Sequence, residues 1–338
     1  MTVHEKQGVA GTPFRYKGKT MSEEFTFDLE RVHQANLEIL KAVKTICDRH
    51  EITYLIDSGT LLGAVRHKGF IPWDDDVDLC FRREEFERFI DVARAELPEN
   101  MQLVLPDEYR DGEAFYDFVP RVLYLNSRRH AEDDADMAFY EGKLNHLWVD
   151  LFILDRLPAC LIRAQLMKLE QQIAFGLGMG HRRTLDWSKY HGLQKLEVQV
   201  LAGVGRFIPL PKIFRLQERW ARKYTDLNRA ESGDAAPAAT AAGDAKQAKD
   251  AGKQGCPVCG KQSGSGKSFF SNYQPDFQYC TVDDAWEEPI EFQFEGEHFT
   301  GPKAWDKVLT MLYGDYMKLP RPEDRHPSHS GMELEILD

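Results

Sequence analysis

The stretch GTLLGAVRHKGFIPWDDDVDL, residues 59–79, decides the fold prediction for this chain of 338 residues. It places four aspartates among the five residues 74–78, at the start of the apolar run VDLCF. Because side chains alternate in direction along a strand, a strand that starts at Asp76 places Asp76 and Asp78 on one face and turns Val77 into the core. Two carboxylates on one face repel each other, and a divalent cation with oxygen ligands commonly offsets that repulsion. The stretch therefore predicts a strand that begins at a cation site.

The flanking sequence supplies the other layers of an α/β fold. FDLERVHQANLEILKAVKTICDRH and REEFERFIDVARAEL carry apolar residues at the three- and four-residue steps of amphipathic helices. ITYLIDS and VDLCF are typical of strands, as are residues 102–105, 115–125 and 146–154. We predict an α/β (α+β) fold, a mixed sheet flanked by helices. Its expected parts are a catalytic core (24–155), a helical region (156–231), a flexible insertion poor in large apolar side chains (232–268) and a C-terminal segment that packs on the core (269–338).

Composition argues against two classes of protein. The formal net charge of −12 disfavours nucleic acid as a partner, because nucleic-acid-binding proteins usually present a basic face. No segment approaches the roughly 20 apolar residues of a membrane span, and the N-terminus lacks the apolar run of a signal peptide. We expect a cytoplasmic protein with reduced cysteines. At most we expect peripheral membrane contact, at the inner face of the membrane.

A phosphate cradle is predicted just before the aspartates. Gly59 and Thr60 lie where a strand passes into a helix, so their N–H groups and the Thr60 hydroxyl can bind a phosphate at the positive end of the helix dipole. Arg66 and His67 add cationic donors nearby. A cradle, a strand and paired carboxylates in this order are typical of metal-assisted phosphoryl chemistry. The alternative is a solvated, turn-capping aspartate cluster after Pro72.

A third carboxylate is expected to complete the site. Asp150, in LNHLWVDLFILD, is the first candidate, because an acid within an apolar strand pattern is costly unless it has a charged partner. Asp155 is the second candidate. The alternative for Asp150 is a strand-edge residue that faces water.

Three cysteines suggest a second metal. Cys256, Cys259 and Cys280 lie close in sequence and predict a structural Zn²⁺ site that still needs a fourth ligand, for which His181 and His298 are candidates. The alternative is unligated, reduced thiols in a loop.

Residues 54–81, YLIDSGTLLGAVRHKGFIPWDDDVDLCF, resemble the signature of the LicD family, which includes bacterial phosphocholine transferases and, more distantly, the animal fukutins. The resemblance implies a nucleotidyltransferase fold with a Gly-Ser-like pair, an Asp-x-Asp and a later strand aspartate. Carried over, the pair falls on Gly59 and Thr60. The catalytic and Mg²⁺ (or Mn²⁺) ligands fall on Asp76, Asp78 and Asp150.

The resemblance also implies a reaction. A LicD-type phosphotransferase would move phosphocholine from CDP-choline onto a sugar hydroxyl of a glycan or lipid-linked glycan acceptor, as in lipopolysaccharide or teichoic acid modification, and release CMP. Trp73 and Asp74, in the PWDDD run, and Arg121, in a basic strand region, are further candidates for substrate binding. The alternatives are another CDP-alcohol donor (ribitol or glycerol), a nucleotidyltransferase that leaves NMP on its acceptor, and a non-catalytic adaptor built around the zinc loop.

Overall fold

A computed structural model describes residues 14–15, 26–130, 134–158, 160–232, 265–271, 280–281, 288–327 and 333–338. The strands are β1 (Phe14–Arg15), β2 (Thr26–Phe27), β3 (Leu55–Ile56), β4 (Asp78–Arg82), β5 (Met101–Val104), β6 (Arg121–Tyr124), β7 (Ser127–Arg129), β8 (Leu147–Pro158), β9 (Ser265–Ser271), β10 (Cys280–Thr281), β11 (Ile290–Phe294), β12 (Glu297–Gly301) and β13 (Leu334–Ile336). The α-helices are α1 (Leu29–Arg49), α2 (Ser58–Arg66), α3 (Arg83–Glu96), α4 (Asp134–Phe139), α5 (Leu161–Gly178), α6 (Gly192–Gly205), α7 (Leu210–Ser232) and α8 (Trp305–Tyr313).

The long strand β8 organises the main sheet. Along one edge it pairs in parallel with β4, which in turn pairs with β3 in antiparallel fashion. Along the other edge its first residues pair with β6 and its last with β9, both antiparallel. The order is β10-β9-β8-β4-β3, and β5 extends the sheet beyond β6. The predicted mixed α/β sheet is confirmed.

Helices α1 and α3 cover one face of this sheet. Helix α1 begins where the Asp28 carboxylate accepts hydrogen bonds from the Glu30 and Arg31 N–H groups, which satisfies two of the unpaired donors of the first turn. Both helices bury their predicted apolar faces. The resulting core includes Val32, Ile39 and Val43 of α1, Phe86 and Phe89 of α3, and the strand residues Leu79, Phe81, Leu151 and Ile153. Full burial of each such side chain is worth roughly 1.5–3 kcal/mol.

The C-terminal segment closes over α2. The Phe70 N–H donates to the Glu295 carboxylate at 3.0 Å, which ties the β11–β12 hairpin to the loop that follows α2. Arg66 Nη1, in the last turn of α2, donates to the Tyr316 carbonyl oxygen at 2.8 Å, just after α8. The stretch that begins with α2 and ends with β4 therefore lies between the sheet and the C-terminal segment.

Helices α5, α6 and α7 form the helical region. Gln217 of α7 donates to Gln171 of α5 at 2.9 Å, and the Thr225 hydroxyl accepts from the Arg156 N–H at 3.0 Å, which fixes α7 to the end of β8. Within the described part of the chain, no helix has both the length and the apolar character needed to span a bilayer.

Candidate active site

Three charged side chains form one row across the sheet. Asp78 of β4 lies directly opposite Asp150 of β8, and Arg121 of β6 lies opposite the same Asp150. Directly opposed residues of neighbouring strands present their side chains on the same face. This face is the one that α1 and α3 leave uncovered. The two strand carboxylates that the sequence singles out are therefore neighbours.

Arg121 fixes Asp150 from the side. Its guanidinium is buried and donates to both oxygens of Asp117, from Nη1 at 2.9 Å and from Nη2 at 2.6 Å. Its Nε lies 2.8 Å from Asp150 Oδ1, as an ion pair without hydrogen-bond alignment. Because these donors face carboxylates of the protein, the geometry favours a positioning role for Arg121 over the substrate contact expected from sequence.

Asp150 is the carboxylate whose protonation is most clearly set by its surroundings. Its side chain is 24% exposed. Burial raises the pKa of Asp150 from 3.8 to about 6; the Arg121 guanidinium opposes this rise, and the charges of Asp117 and Asp76 add to it. Since the Asp76 charge acts on Asp150, these two groups belong to one electrostatic site. The strand-edge alternative for Asp150 does not hold, because β8 is paired on both sides there.

Strand β4 begins at Asp78, and the prediction that it begins at Asp76 is wrong by two residues. The backbone shows why. The carbonyl oxygens of the two preceding aspartates bind α1, with His33 Nε2 donating to the Asp74 oxygen at 2.7 Å and Asn36 Nδ2 to the Asp75 oxygen at 3.2 Å. These contacts hold residues 74 and 75 away from the sheet, and pairing with β8 starts only where the Val77 carbonyl oxygen accepts from the Asp150 N–H at 3.3 Å. His33 and Asn36 therefore position the aspartate run, a role that helical periodicity alone does not indicate.

The start of α2 faces a carboxylate of the protein itself. A Cβ on Gly59 would lie 2.8 Å from Asp74 Oδ2, so a larger residue here requires the Asp74 carboxylate to move. The preceding residue, Ser58, has φ of 47°, and the Asp57 carboxylate caps its N–H at 2.8 Å. A carboxylate near a helix N-terminus is stabilised by the helix dipole. Asp74 thus lies beside the predicted phosphate cradle.

Thr60 connects the cradle to the strand. Its side chain is buried, and its hydroxyl oxygen accepts a hydrogen bond from the Asp78 N–H at 3.0 Å. The contact fixes α2 against the first residue of β4. The Gly59–Thr60 pair and Asp78 therefore form one local unit, as their spacing predicts.

A group of basic and aromatic side chains borders the aspartates. Arg66 Nε lies 2.9 Å from His67 Nε2, and the Arg325 guanidinium lies 5.3 Å from the centre of the Trp73 ring. Burial lowers the pKa of Arg66, a shift that Asp74 opposes and Arg325 reinforces. Burial also lowers the pKa of His67, as does the Arg66 charge. His67 meets Trp73 edge to face, with ring centres 6.1 Å apart.

Tyr313, the last residue of α8, extends this border to the carboxylates. Burial raises the pKa of its hydroxyl, and the charges of Asp78, Asp57 and Asp74 raise it further. A hydroxyl that remains protonated beside carboxylates is a hydrogen-bond donor. The place of Tyr313 beside the carboxylates follows from the packing of α8 on α2.

Comparison with known proteins identifies the domain that carries these carboxylates. Residues 51–175 match the family described as LicD/FKTN/FKRP, nucleotidyltransferase domain. The Lipopolysaccharide cholinephosphotransferase LicD of Haemophilus influenzae is 28% identical over 294 residues, which cover 87% of this chain and 92% of that protein. Residues 51–175 therefore form a domain that matches the LicD family, and most of the chain is similar to the Haemophilus protein. The resemblance seen in the signature is confirmed.

Shorter stretches match two further proteins. An uncharacterized protein of Rickettsia typhi is 41% identical over 66 residues, 20% of each chain. An uncharacterized protein of Rickettsia prowazekii is 46% identical over 48 residues, which cover 14% of this chain and 18% of that protein.

The carboxylates of the LicD domain fit a hard divalent cation by their chemistry. Aspartate oxygens are preferred ligands of Mg²⁺, and Asp150 Oδ1 is buried without an aligned hydrogen-bond donor. Among the residues that the structure describes, no three His, Cys, Asp or Glu side chains converge closely enough to hold a metal ion. Binding would therefore require the carboxylates of Asp76 or Asp78 to turn toward Asp150.

Asp155, the second candidate for the third carboxylate, has a structural role instead. Arg83 donates to both of its oxygens, at 2.8 and 2.6 Å, and the Thr225 hydroxyl donates at 3.0 Å. Its position at the far end of β8 and its saturated oxygens leave no place for a cation.

The expected zinc site stays a prediction. Cys256 and Cys259 lie outside the described residues, and the structure describes only the backbone of Cys280, in β10. Of the two candidate fourth ligands, His181 has its Nε2 at 2.9 Å from the Gly205 carbonyl oxygen, a contact in which the nitrogen must donate. A metal at that nitrogen would have to displace this hydrogen bond.

Proposed function

We propose that this chain is a metal-dependent phosphotransferase that moves phosphocholine from CDP-choline to a sugar hydroxyl of a lipopolysaccharide-type glycan and releases CMP. The observation that carries the proposal is the direct opposition of Asp78 and Asp150 on parallel strands, with the start of α2 fixed to Asp78 through Thr60. The printed name of the Haemophilus relative supports the choline phosphate group and the class of acceptor.

The carboxylates of Asp76, Asp78 and Asp150 would together hold the catalytic cation. Mg²⁺ or Mn²⁺ held by Asp76, Asp78 and Asp150 would neutralise the donor diphosphate and stabilise charge on the transferring phosphoryl group. Arg121 keeps Asp150 in the row through its ion pair, and Asp117 keeps Arg121 in place. One carboxylate of the site would also accept the proton of the acceptor hydroxyl.

The cradle places a condition on donor binding. Because Asp74 lies against Gly59, an incoming diphosphate meets a like charge at the helix start. Either a cation must lie between the two or the Asp74 side chain must move away. Arg66 and Arg325, which border Asp74 and Trp73, are the cationic groups that would then contact the phosphates.

The choline group would bind at the same border. A quaternary ammonium is recognised by aromatic faces or by a carboxylate. The Trp73 face is already covered by the Arg325 guanidinium at 5.3 Å, so choline can use this ring only if Arg325 turns to the phosphates. The Tyr313 ring, beside the aspartates, is the second aromatic surface available.

The proposal is tested by incubating the purified chain and Mg²⁺ with CDP-choline, CDP-ribitol and CDP-glycerol separately and measuring CMP. We expect CMP from CDP-choline, and a loss of at least about 100-fold in Asp78→Asn. The control is Asp91→Asn, a change at an exposed position of α3 that removes the same charge.

Three outcomes would contradict parts of the proposal. CMP from CDP-ribitol or CDP-glycerol, with CDP-choline inert, would overturn the choline assignment and leave the metal site standing. Pyrophosphate release from an NTP would favour a nucleotidyltransferase. Turnover that survives Asp78→Asn would overturn the site itself.

A further inference from the structure

An exposed apolar surface covers α5, α6 and the turn after α6, away from the aspartates. On α6 the exposed side chains recur at three- and four-residue steps, so they form one stripe along the helix. Leu161 is 82% exposed, Leu193 86% and Phe207 89%. The full set, here called the α5–α6 surface, is Leu161, Ile162, Leu166, Leu169, Leu193, Leu196, Val200, Val204 and Phe207.

The two helices run side by side in the same direction. At their C-terminal ends they are in close contact, since a Cβ on Gly176 would lie 2.5 Å from Leu201 and one on Gly205 would lie 1.9 Å from the Leu177 carbonyl oxygen. Toward their N-terminal ends they leave a groove of about 500 Å³ between them. Its lining is apolar except for one residue, and includes Leu169, Ile173, Leu196 and Val200. Contiguous apolar surface of this kind marks a binding face in a water-exposed protein.

The charge around this surface is the reverse of that of the whole chain. Residues 161–226 contain twelve Lys and Arg and five Asp and Glu, a formal charge of +7, whereas the chain as a whole carries −12. Arg206 and Lys212 flank the exposed Phe207 and are themselves exposed. Neither makes an ion pair with any other described residue. Exposed basic residues therefore lie at the Phe207 end of the apolar surface, in a segment of net positive charge, and Glu197 is the one acidic residue of the groove.

We propose that the α5–α6 surface rests on an anionic phospholipid bilayer. Apolar side chains in a plane enter the interface, and the flanking Lys and Arg are attracted to anionic head groups. A second copy of the chain is a poorer occupant, because it would bring one segment of net positive charge against another. The groove between α5 and α6 would accept part of an acyl chain.

This placement also relates the bilayer to the aspartates. At the C-terminal end of α5, Arg182 Nε donates to the Tyr116 carbonyl oxygen at 2.7 Å, and the Tyr116 ring lies 5.0 Å from the Arg121 guanidinium that pairs with Asp150. The segment that follows α5 is thus connected to Asp150 through Arg182, Tyr116 and Arg121. If the proposed function holds, a lipid-linked acceptor would be presented near the carboxylates; vesicle binding itself does not depend on that function.

The experiment is vesicle flotation with the full chain. Vesicles of phosphatidylcholine with 30 mol% phosphatidylglycerol are compared with pure phosphatidylcholine vesicles, at low and high salt. We expect binding at least tenfold stronger to the anionic vesicles, weakened by salt. Leu193→Ser with Phe207→Ser should weaken it at least tenfold, as should Arg206→Glu with Lys212→Glu. Leu337→Ser, which changes an exposed apolar residue elsewhere, is the matched control.

Each outcome decides the proposal. Unchanged thermal midpoints in the variants would confirm that lost binding is not lost folding. Absence of binding by the wild type, or equal binding of all variants, overturns the proposal. Variants that convert a wild-type dimer into monomer, without vesicle binding by the wild type, would assign the surface to a second copy instead. CMP release from CDP-choline, measured in the same samples without vesicles, separates failure of this inference from failure of the proposed function.

Discussion

Replacement of Asp150 by asparagine should remove a pH-dependent loss of stability that the wild type carries. Burial raises the pKa of this carboxyl from 3.8 to about 6, so between these values the folded state holds a proton that the unfolded state releases. The free energy of unfolding therefore falls as the pH rises through this window. Linkage gives about 2 kcal/mol between pH 4 and pH 7.5 for one group with these two pKa values. Asparagine does not titrate, so the variant lacks this contribution.

The measurement is urea unfolding of the wild type and Asp150→Asn in EDTA, at several pH values from 4 to 7.5. The quantity of interest is the difference in the free energy of unfolding between the two proteins, because all other titrating groups cancel in it. Asp91→Asn, compared in the same way, controls for the loss of one negative charge at an exposed position. Saturating Mg²⁺ should diminish the effect, because a cation stabilises the ionised carboxylate.

A difference that stays flat across this range would refute the assignment of a raised pKa to Asp150. A difference that changes with the opposite sign would mean that the Arg121 ion pair outweighs burial. In that case Asp150 would be an ordinary ionised aspartate held by its ion pair with Arg121.

Three further predictions follow from the same site. Gly59→Ala should change the free energy of unfolding by less than about 1 kcal/mol, because its Cβ meets only the carboxylate end of Asp74, which can turn away; urea unfolding measures the change, and a loss of several kcal/mol would refute this explanation. Mg²⁺ should raise the thermal midpoint of the wild type more than that of Asp78→Asn, and equal rises in both proteins would argue against the metal assignment. Tyr313→Phe should raise the KM for CDP-choline at least fivefold while Tyr316→Phe, whose hydroxyl bonds to Asp306, leaves KM unchanged; similar values for the two variants would remove Tyr313 from the site.

Much of the site can be predicted from the sequence, because it depends on the spacing of residues that are close together in the chain. Asp78 ends the aspartate run and begins an apolar strand, so the alternation of side chains along that strand identifies it. Asp150 is the single acid in the apolar segment VDLFIL, so the cost of burying its carboxylate identifies it. The Gly59–Thr60 pair follows a strand and opens a helix, which is again a local pattern.

The parts that could not be predicted depend on contacts between distant segments. His33 and Asn36 hold the aspartate run from α1, and their helical pattern gives no sign of it. Asp155 stays a second candidate from sequence until its Arg83 and Thr225 partners are known. The proximity of Tyr313 to the aspartates likewise requires the packing of α8, which only tertiary structure supplies.

The helix α1 contacts have a practical consequence for anyone who works with the recognised domain alone. A fragment cut at residues 51–175, the limits of the family match, would lack α1 and end inside α5. It would expose the sheet face that α1 buries and release the Asp74 and Asp75 carbonyl oxygens from their donors. At the other end it would lose Thr225, one of the partners of Asp155. Recombinant work on catalysis should therefore keep both flanks, because the recognised boundaries mark shared sequence and not an autonomous folding unit.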